Sequence, residues 1–213
     1  MEVSNKFIQF KNQIISGLKQ PLPGDLAHSK LMSYHRPKVS EIIHKGTHRE
    51  SAVLALFYPI NEEPHLVFIL RQSYEGVHSS QVSFPGGKRE LLDDSLVYTA
   101  LREANEELSI LQNEVEVIGS LSEIYVPPSN FLISPFVGFS STRPNFLKDP
   151  REVAKIIEVR VADLVNHVNF TKTEVNLPNG TQMKVPAFLF NQQIIWGATA
   201  MMVQEIKEIL AKS

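Results

Sequence analysis

The chain has 213 residues, a formal net charge of −2 and no cysteine. Its length suits one domain or a domain with extensions, and its 43% of hydrophobic residues is enough for an ordinary core. The near-neutral charge argues against a protein that binds nucleic acid through an excess of basic residues. The absence of cysteine excludes disulfides, thiolate zinc sites and a cysteine nucleophile.

Residues 1–45 are predicted to form an N-terminal helical extension. Apolar residues recur at helical spacing between Met1 and Lys19, and prolines follow, so we expect a short amphipathic helix there. Charged residues interrupt this segment, which therefore lacks the continuous apolar stretch of a signal peptide. The uncharged stretches 124–142 and 185–204 are broken by prolines or amides and do not predict membrane spans. We expect a cytoplasmic protein with no membrane-bound part.

Residues 46–213 are predicted to form one α+β domain. Runs of apolar and β-branched residues predict strands, and Asn61–Pro64 and Asn179-Gly180 predict hairpin turns. A last helix is expected from about residue 199 to residue 210. The predicted strands are Ala52–Tyr58, His65–Arg71, Gln81–Phe84, Val115–Val126, Phe131–Phe139, Glu152–Val161 and Phe188–Trp196. With a central helix after the third strand, this order predicts a mixed β-sheet between helices.

The central helix carries three glutamates on one side. Glu103, Glu106 and Glu107 are three or four residues apart, a spacing at which like charges destabilise a helix by roughly 0.2–0.5 kcal/mol. A solvated acidic face is the usual meaning of such residues, whereas a hard cation such as Mg²⁺ would turn the repulsion into binding. Residues 85–109 contain three basic and six acidic residues, a net charge of −3. The predicted apolar side of the helix consists of Val97, Leu101, Ala104 and Leu108.

This helix and the glycines before it resemble the Nudix box, G-x5-E-x7-R-E-U-x-E-E-x-G-U, in which U is an aliphatic residue. Residues 102–110 match its second half, and seven residues separate Asp94 from Arg102. Asp94 replaces the first glutamate, six residues instead of five lie between Gly87 and Asp94, and Ser109 replaces a glycine. We expect Arg102 to pair with Asp94 or with a neighbouring glutamate.

The resemblance implies a Nudix-like α/β/α sandwich and an enzyme that hydrolyses the pyrophosphate bond of a nucleoside diphosphate linked to another moiety. It implies Mg²⁺ or Mn²⁺ as cofactor, with Glu103 and Glu107 as principal metal ligands. Glu106 is then a further ligand or the base that activates water. Arg102 becomes an orienting residue, and Gly87 can offer its carbonyl to the metal.

Residues 70–87 carry a second resemblance, to the coenzyme A pyrophosphatase branch of the Nudix hydrolases. Gln72 intervenes before Ser73, and Ser80 replaces a glycine; the residues that match are Arg71, His78, Gln81, Val82, Phe84, Pro85, Gly86 and Gly87. The resemblance implies cleavage of coenzyme A, or a derivative, to 3′,5′-ADP and 4′-phosphopantetheine or its acyl form. The residues expected to contact substrate are Arg71, His78, Gly86, Gly87 and Lys88.

Three alternatives stay open in the sequence. The substrate could be ADP-ribose or another nucleoside diphosphate derivative. In a different class, the chain could be a non-catalytic nucleotide-binding module, although such modules often lose the box glutamates that this chain keeps. Glu123, Glu152 and Glu158 lie outside the box, and any of them could supply a further metal ligand or a base. The family resemblance also allows a homodimer.

Overall fold

A computed structural model of the chain describes residues 4–32, 36–72, 81–166, 169–176 and 182–212. The helices in these residues are α1 (Asn5–Leu18), α2 (Gly24–Ser29), α3 (Val39–Lys45), α4 (Leu96–Leu108), α5 (Val161–Val165) and α6 (Gly197–Lys212). The strands are β1 (Arg49–Ile60), β2 (Glu63–Arg71), β3 (Val82–Ser83), β4 (Gly86–Lys88), β5 (Glu116–Ser120), β6 (Ile124–Val126), β7 (Phe131–Phe139), β8 (Val153–Arg160), β9 (Phe170–Asn176), β10 (Gln182–Phe190) and β11 (Gln193–Trp196).

The main sheet is mixed, as the sequence predicts. Its path runs β3-β2-β1-β7-β5, while β4 pairs with β1, β6 with β7, and β8 with β2. Strands β1 and β7 are parallel, from the pair Arg49–Phe131 to the pair Phe57–Phe139. The pairs β1–β2 and β2–β8 are antiparallel. A second, antiparallel sheet consists of β9, β10 and β11.

The side chains of β1 show why helices cover both faces of the main sheet. Successive side chains of a strand point to opposite faces. In β1, Leu54 and Leu56 join one apolar cluster, whereas Ala55 and Phe57 join the other. Helix α4 packs on the first cluster, and helices α1 and α6 pack on the second. This arrangement is the α/β/α sandwich that the Nudix resemblance implies.

The first N-terminal helix, α1, packs on the second of these clusters. Phe7, Phe10 and Ile14 of α1 are buried in it. Helix α2 is joined to α6 by a buried contact of 2.9 Å between His28 Nε2 and a carboxylate oxygen of Glu205. The domain boundary predicted after residue 45 stays a prediction. Among the described residues, no helix combines the length and the apolar character that crossing a bilayer requires.

Two predicted strands are divided in the structure. The segment 115–126 forms β5 and β6, which pair with different parts of β7 and are separated by residues 121–123, which belong to neither strand. The segment 188–196 is a hairpin instead of one strand. Asn191 and Gln192 have φ angles of 48° and 62° and turn the chain from β10 into β11. The sequence contains no glycine or proline at this turn, and its one turn-favouring residue is Asn191, since asparagine tolerates positive φ.

Smaller details of the turns and of α4 also differ from the prediction. The first hairpin turn is limited to Asn61 and Glu62, because β2 already begins at the next residue. On α4, Ala100 is buried in the apolar cluster, whereas Val97 is half-buried and is not part of it. The turn predicted at residues 179–180 lies outside the described residues.

Candidate active site

Two adjacent glycines allow β4 to lie against both β1 and α4. Gly86 pairs with Val53, and a Cβ on Gly86 would stand 2.6 Å from the Val53 Cα and closer still to the Ala52 carbonyl oxygen. Gly87 faces the helix, and a Cβ there would stand 2.6 Å from Oε1 of Glu103. Glycine at position 86 is therefore required by the backbone of β1. Glycine at position 87 leaves room for a carboxylate.

Helix α4 begins beside a buried aspartate. Ser95 is the N-cap residue, and its hydroxyl accepts a hydrogen bond of 3.1 Å from the Tyr98 N–H. Asp93 is only 4% exposed. Its Oδ2 accepts hydrogen bonds from the Thr99 hydroxyl at 2.8 Å and from the Glu90 N–H at 2.9 Å. Asp93 thus joins the loop after β4 to the first turn of the helix.

The guanidinium of Arg102 connects the acidic side chains at this end of α4. It donates to both carboxylate oxygens of Asp93, at 2.9 and 3.0 Å, which is a bidentate pair. It also donates to Oε2 of Glu106 at 2.9 Å and to the Lys88 carbonyl at 3.1 Å. Oε1 of Glu103 lies 3.0 Å from the same guanidinium. The hydrogen bonds from Arg102 hold the pKa of Asp93 well below its ordinary value.

The partner of Arg102 corrects one expectation from the sequence. Asp94 is exposed, and Asp93 holds the guanidinium instead. Five residues lie between Gly87 and Asp93, the spacing that the Nudix box gives for its first acidic residue. The additional residue of this segment therefore falls between Asp93 and Arg102. The other expectation, a pair with a neighbouring glutamate, is confirmed by the contacts with two box glutamates.

Glu107 is fully buried and is held by two separate elements. Arg71, at the end of β2, donates to Oε1 of Glu107 at 3.1 Å, and the Gly86 N–H donates to Oε2 at 2.8 Å. Arg71 also donates to the Gly86 carbonyl at 3.3 Å. Burial raises the pKa of Glu107 to about 8, although Arg71 and the Gly86 N–H favour the ionised form. Arg71 therefore positions a box glutamate, and its predicted contact with substrate stays a prediction.

Glu152 adds a negative charge to this region from outside the helix. Burial raises the pKa of Glu103 against the effect of Arg102, and the charge of Glu152 contributes in the same direction as burial. Glu152 raises the pKa of Glu107 as well. The loop before β8 is attached to α4 by a hydrogen bond of 3.0 Å from the Asp149 N–H to the Glu107 carbonyl. This attachment brings Glu152 to the glutamate side of the helix.

The other two acidic candidates outside the box are engaged elsewhere. Glu123 accepts a hydrogen bond of 2.8 Å from the Ser134 hydroxyl. Glu158 accepts hydrogen bonds from the Tyr58 hydroxyl at 2.9 Å and from Arg143 at 2.8 Å. Of the three acidic residues that the sequence left open, Glu152 is therefore the one that influences the box.

The donor set around α4 has the chemistry that a hard divalent cation requires. Glu103 and Glu107 carry carboxylate oxygens whose ionised forms are disfavoured by burial, so a cation beside them would be stabilising. Within the described ranges, no three Asp, Glu or His side chains are already grouped to hold a metal ion. Glu106 turns toward Arg102, and Glu107 toward Arg71. The assignment of individual metal ligands stays a prediction.

The remaining residues predicted for the site occupy different places. Lys88 is exposed beside the glycines, and its predicted contact with substrate stays a prediction. His78 lies outside the described residues. Ser109 ends α4 in the left-handed conformation, with φ 57°, at the position where the Nudix box has glycine. Sequence reasoning missed Asp93, although its spacing from Gly87 was a usable signal. No sequence feature distinguished Glu152 from the other acidic candidates.

Comparison with known proteins identifies the family. Residues 48–176 match the NUDIX domain family model. The Nudix hydrolase NudL of Photorhabdus laumondii is 32% identical over 156 residues, which cover 72% of this chain and 82% of the relative. The crystal structure of the Nudix hydrolase RenU from M. smegmatis gives a TM-score of 0.52 at 15% identity, covering 78% of this chain and 87% of RenU. The NUDIX domain of Shewanella oneidensis NrtR, solved with ADP-ribose, gives a TM-score of 0.53 at 12% identity, covering 82% of this chain and 99% of the NrtR domain.

A mixed sheet lies between helices, and the helix after the Gly-Gly strand β4 carries the buried carboxylate of Glu107 and the half-buried carboxylate of Glu103. This fold and site define a small α/β/α protein with carboxylate oxygens grouped beside two glycines. The sequence matches then name the family: this chain belongs to the Nudix hydrolases. It is an enzyme that acts on nucleoside diphosphate derivatives, and the family generally uses divalent metal ions. The predicted family and enzyme class are thereby confirmed. The alternative of a non-catalytic module is set aside.

Proposed function

We propose that this Nudix hydrolase cleaves the pyrophosphate bond of coenzyme A or a coenzyme A derivative, and releases 3′,5′-ADP and 4′-phosphopantetheine or its acyl form. The observation that carries the proposal is a physical connection between two motifs. Arg71 belongs to the segment that resembles the coenzyme A branch, and it is bonded to Glu107 of the Nudix box and to the Gly86 carbonyl. A substrate recognised by this segment would therefore lie beside the box glutamates.

The proposed reaction is attack of water on phosphorus. A bound Mg²⁺ or Mn²⁺ would supply charge neutralisation at the pyrophosphate and a water of lowered pKa. Glu103 and Glu107 would hold the cation, and Arg102 keeps Glu103 in place from the other side. Glu106 or Glu152 accepts the proton of the attacking water. The water oxygen forms the new bond to phosphorus while the bond to the bridging oxygen breaks, so each product carries one of the two phosphates.

The proposed substrate contacts lie beside these carboxylates, on β4 and at the end of β2. The Lys88 ammonium and the guanidinium N–H groups of Arg71 that Glu107 leaves unused can donate to phosphate oxygens. Gly86 and Gly87 carry no side chains that would keep a phosphate away from the main chain. His78 is a further proposed contact and belongs to the same sequence motif.

The test is a substrate panel with a metal titration. We expect release of 3′,5′-ADP from coenzyme A that is lost after metal chelation and restored by Mg²⁺ or Mn²⁺. Glu107→Gln should lower kcat by at least about 10²-fold, because removal of a single electrostatic stabiliser in a site of this kind typically costs that much. Glu114→Gln is the matched control, because Glu114 is exposed in the turn after α4. This control should retain the wild-type rate.

Two results would contradict the proposal at different levels. Faster hydrolysis of ADP-ribose, or of another nucleoside diphosphate derivative, than of coenzyme A would reject the substrate and keep the enzyme class. A Glu107→Gln variant as fast as wild type would reject the metal-ligand assignment and leave the substrate open. Because the two results come from separate measurements, one part of the proposal can fail without the other.

The proposal includes a cytoplasmic location and a homodimer that binds a small nucleotide, not a nucleic acid and not a membrane. Cell fractionation tests the location. Light scattering of the purified protein tests the dimer, because a single scattering mass equal to one chain at micromolar concentration would reject it.

A further inference from the structure

Among the described residues, the second sheet has one edge strand beside which no further strand lies. The strand order is β11-β10-β9, so β10 is paired on both sides, and β9 and β11 form the two edges. β11 lies beside β3 of the main sheet. In the described part of the chain, β9 is seven residues long and pairs with β10 alone. Its outer edge therefore presents main-chain N–H and C=O groups that can pair with a strand of another chain.

Two side chains of opposite charge stand two residues apart on β9. Lys172 and Glu174 point to the same face of the sheet, and both are exposed. Within the residues that the structure describes, neither side chain forms an ion pair. In the strand register, Glu174 lies opposite Lys184 of β10, whereas Lys172 lies opposite a proline. The outer edge of β9 thus carries one positive and one negative charge that a facing strand can match.

Antiparallel pairing of β9 with the β9 of a second copy has one register in which these charges match. When Thr173 lies opposite its own counterpart, Lys172 lies opposite Glu174 of the second copy, and the two-fold symmetry repeats this pair. Directly opposed residues have Cβ atoms roughly 4.5–5.5 Å apart, so each lysine can reach the facing glutamate. A register centred on Lys172 or on Glu174 instead puts like charges opposite each other, which is destabilising. The charges therefore select the register centred on Thr173.

We propose that the chain forms a homodimer through β9, which pairs antiparallel with the β9 of a second copy in this register. The two three-stranded sheets become one continuous sheet. In it, Glu174 lies between Lys184 of its own chain and Lys172 of the second copy. A second copy is the partner that fits, because the charge pattern of this edge is complementary to itself. The inference rests on the homodimer of the proposed function and adds the surface that forms it.

The experiment is gel filtration with light scattering at micromolar concentration, in which the wild type should have the mass of two chains. Lys172→Glu puts two glutamates opposite each other at the interface, and Glu174→Lys puts two lysines there. Each variant alone should dimerise at least tenfold more weakly than wild type. An equimolar mixture of the two variants should regain the mass of two chains, because one chain is then acidic at both positions and the other is basic at both. Recovery in the mixture also shows that both variants fold.

Lys155→Glu is the matched control, because Lys155 is exposed on β8 of the main sheet and the substitution reverses the same charge. This control should dimerise like the wild type. A wild-type dimer that Lys172→Glu and Glu174→Lys both retain would overturn the assignment to β9 and keep the homodimer. Loss of the dimer in both variants without recovery in the mixture would overturn the register. A monomeric wild type would reject the homodimer itself, while the coenzyme A assay still decides the reaction.

Discussion

Replacement of Asp93 by asparagine tests the ion pair that joins the loop after β4 to helix α4. Asparagine has the same size, but it offers only one oxygen to the guanidinium of Arg102, which donates to two oxygens of Asp93 in the wild type. Loss of one charge-assisted hydrogen bond costs about 1.5–3 kcal/mol, and removal of one partner from a buried ion pair costs about 3–5 kcal/mol. The Arg102 side chain keeps 14% exposure, so solvent recovers part of this loss. We expect the free energy of unfolding to fall by about 3 kcal/mol.

The effect of Asp93→Asn should depend on pH in a defined direction. The pKa of Asp93 in the folded protein lies below its ordinary value of 3.8. A carboxylate of this kind stabilises the fold above the pKa of the unfolded chain, and this contribution is lost as pH falls toward the folded pKa. The difference between wild type and variant should therefore be complete at neutral pH. It should shrink as pH falls below about 4.

The measurement is urea unfolding followed by far-ultraviolet circular dichroism, with melting curves as a second readout. For a chain of this length, the expected loss corresponds to a decrease of roughly 6–12 °C in Tm. Asp94→Asn is the matched control, because Asp94 is exposed and carries the same charge one residue away. It should change the free energy of unfolding by no more than about 0.5 kcal/mol. A larger loss in Asp94→Asn than in Asp93→Asn would refute the assignment of Asp93 as the partner of Arg102.

Two further comparisons test the glycines and the contact between α2 and α6. Gly86→Ala should lower the free energy of unfolding by more than about 2 kcal/mol, because main-chain atoms of β1 must move. Gly87→Ala should fold normally, but its kcat should fall about 10²-fold, because only the end of the Glu103 side chain is displaced. Equal melting temperatures of the two variants would contradict this distinction. Burial raises the pKa of Glu205, but hydrogen bonds from His28 and Ser122 outweigh burial and leave it below its ordinary value. Glu205→Gln should therefore lower the free energy of unfolding by about 2–4 kcal/mol at pH 7, and by less as pH falls below about 4.5. Urea unfolding at pH 7 and pH 4 measures the difference. A loss of stability that grows toward pH 4 would refute the predicted direction of the pH dependence.

The sequence predicted best those elements whose own residues determine them. Strands β1, β2 and β7 are continuous apolar runs, and their predicted ranges overlap the observed ones closely. Helix α4 has cap-type residues before a helical apolar pattern, and Ser95 is its observed N-cap. The predictions failed where a tertiary contact decides the outcome. β5 and β6 are separate because each pairs with a different part of β7. The turn at Asn191 and Gln192 was missed for a local reason, because it contains neither glycine nor proline and Asn191 is its one turn-favouring residue.

The candidate site shows the same division between local and long-range information. The presence of Glu103, Glu106 and Glu107 on α4 follows from helical spacing. The identity of the first acidic residue does not, because the segment is one residue longer than the box and sequence counting cannot say where the additional residue lies. Asp93 is selected by four hydrogen bonds, which three residues of the loop and of helix α4 donate: Glu90, Thr99 and Arg102. Glu152 reaches the site only through the folding of a loop that is distant in sequence.

The glutamates of the site already form ion pairs with arginines, and these ion pairs constrain how a cation can bind. Arg102 contacts Glu103 and Glu106 from within the helix, whereas Arg71 contacts Glu107 from β2. The glutamates therefore do not form one group of free carboxylates, and a divalent cation must compete with two arginines for them. Of these arginines, Arg102 is fixed by its bidentate pair with Asp93, whereas Arg71 has no second carboxylate within the described residues. Arg71 is thus the partner that can be released from its glutamate at lower cost. Since Arg71 also belongs to the segment that resembles the coenzyme A branch, binding of substrate phosphate by Arg71 would free Glu107 for the metal and couple the two events.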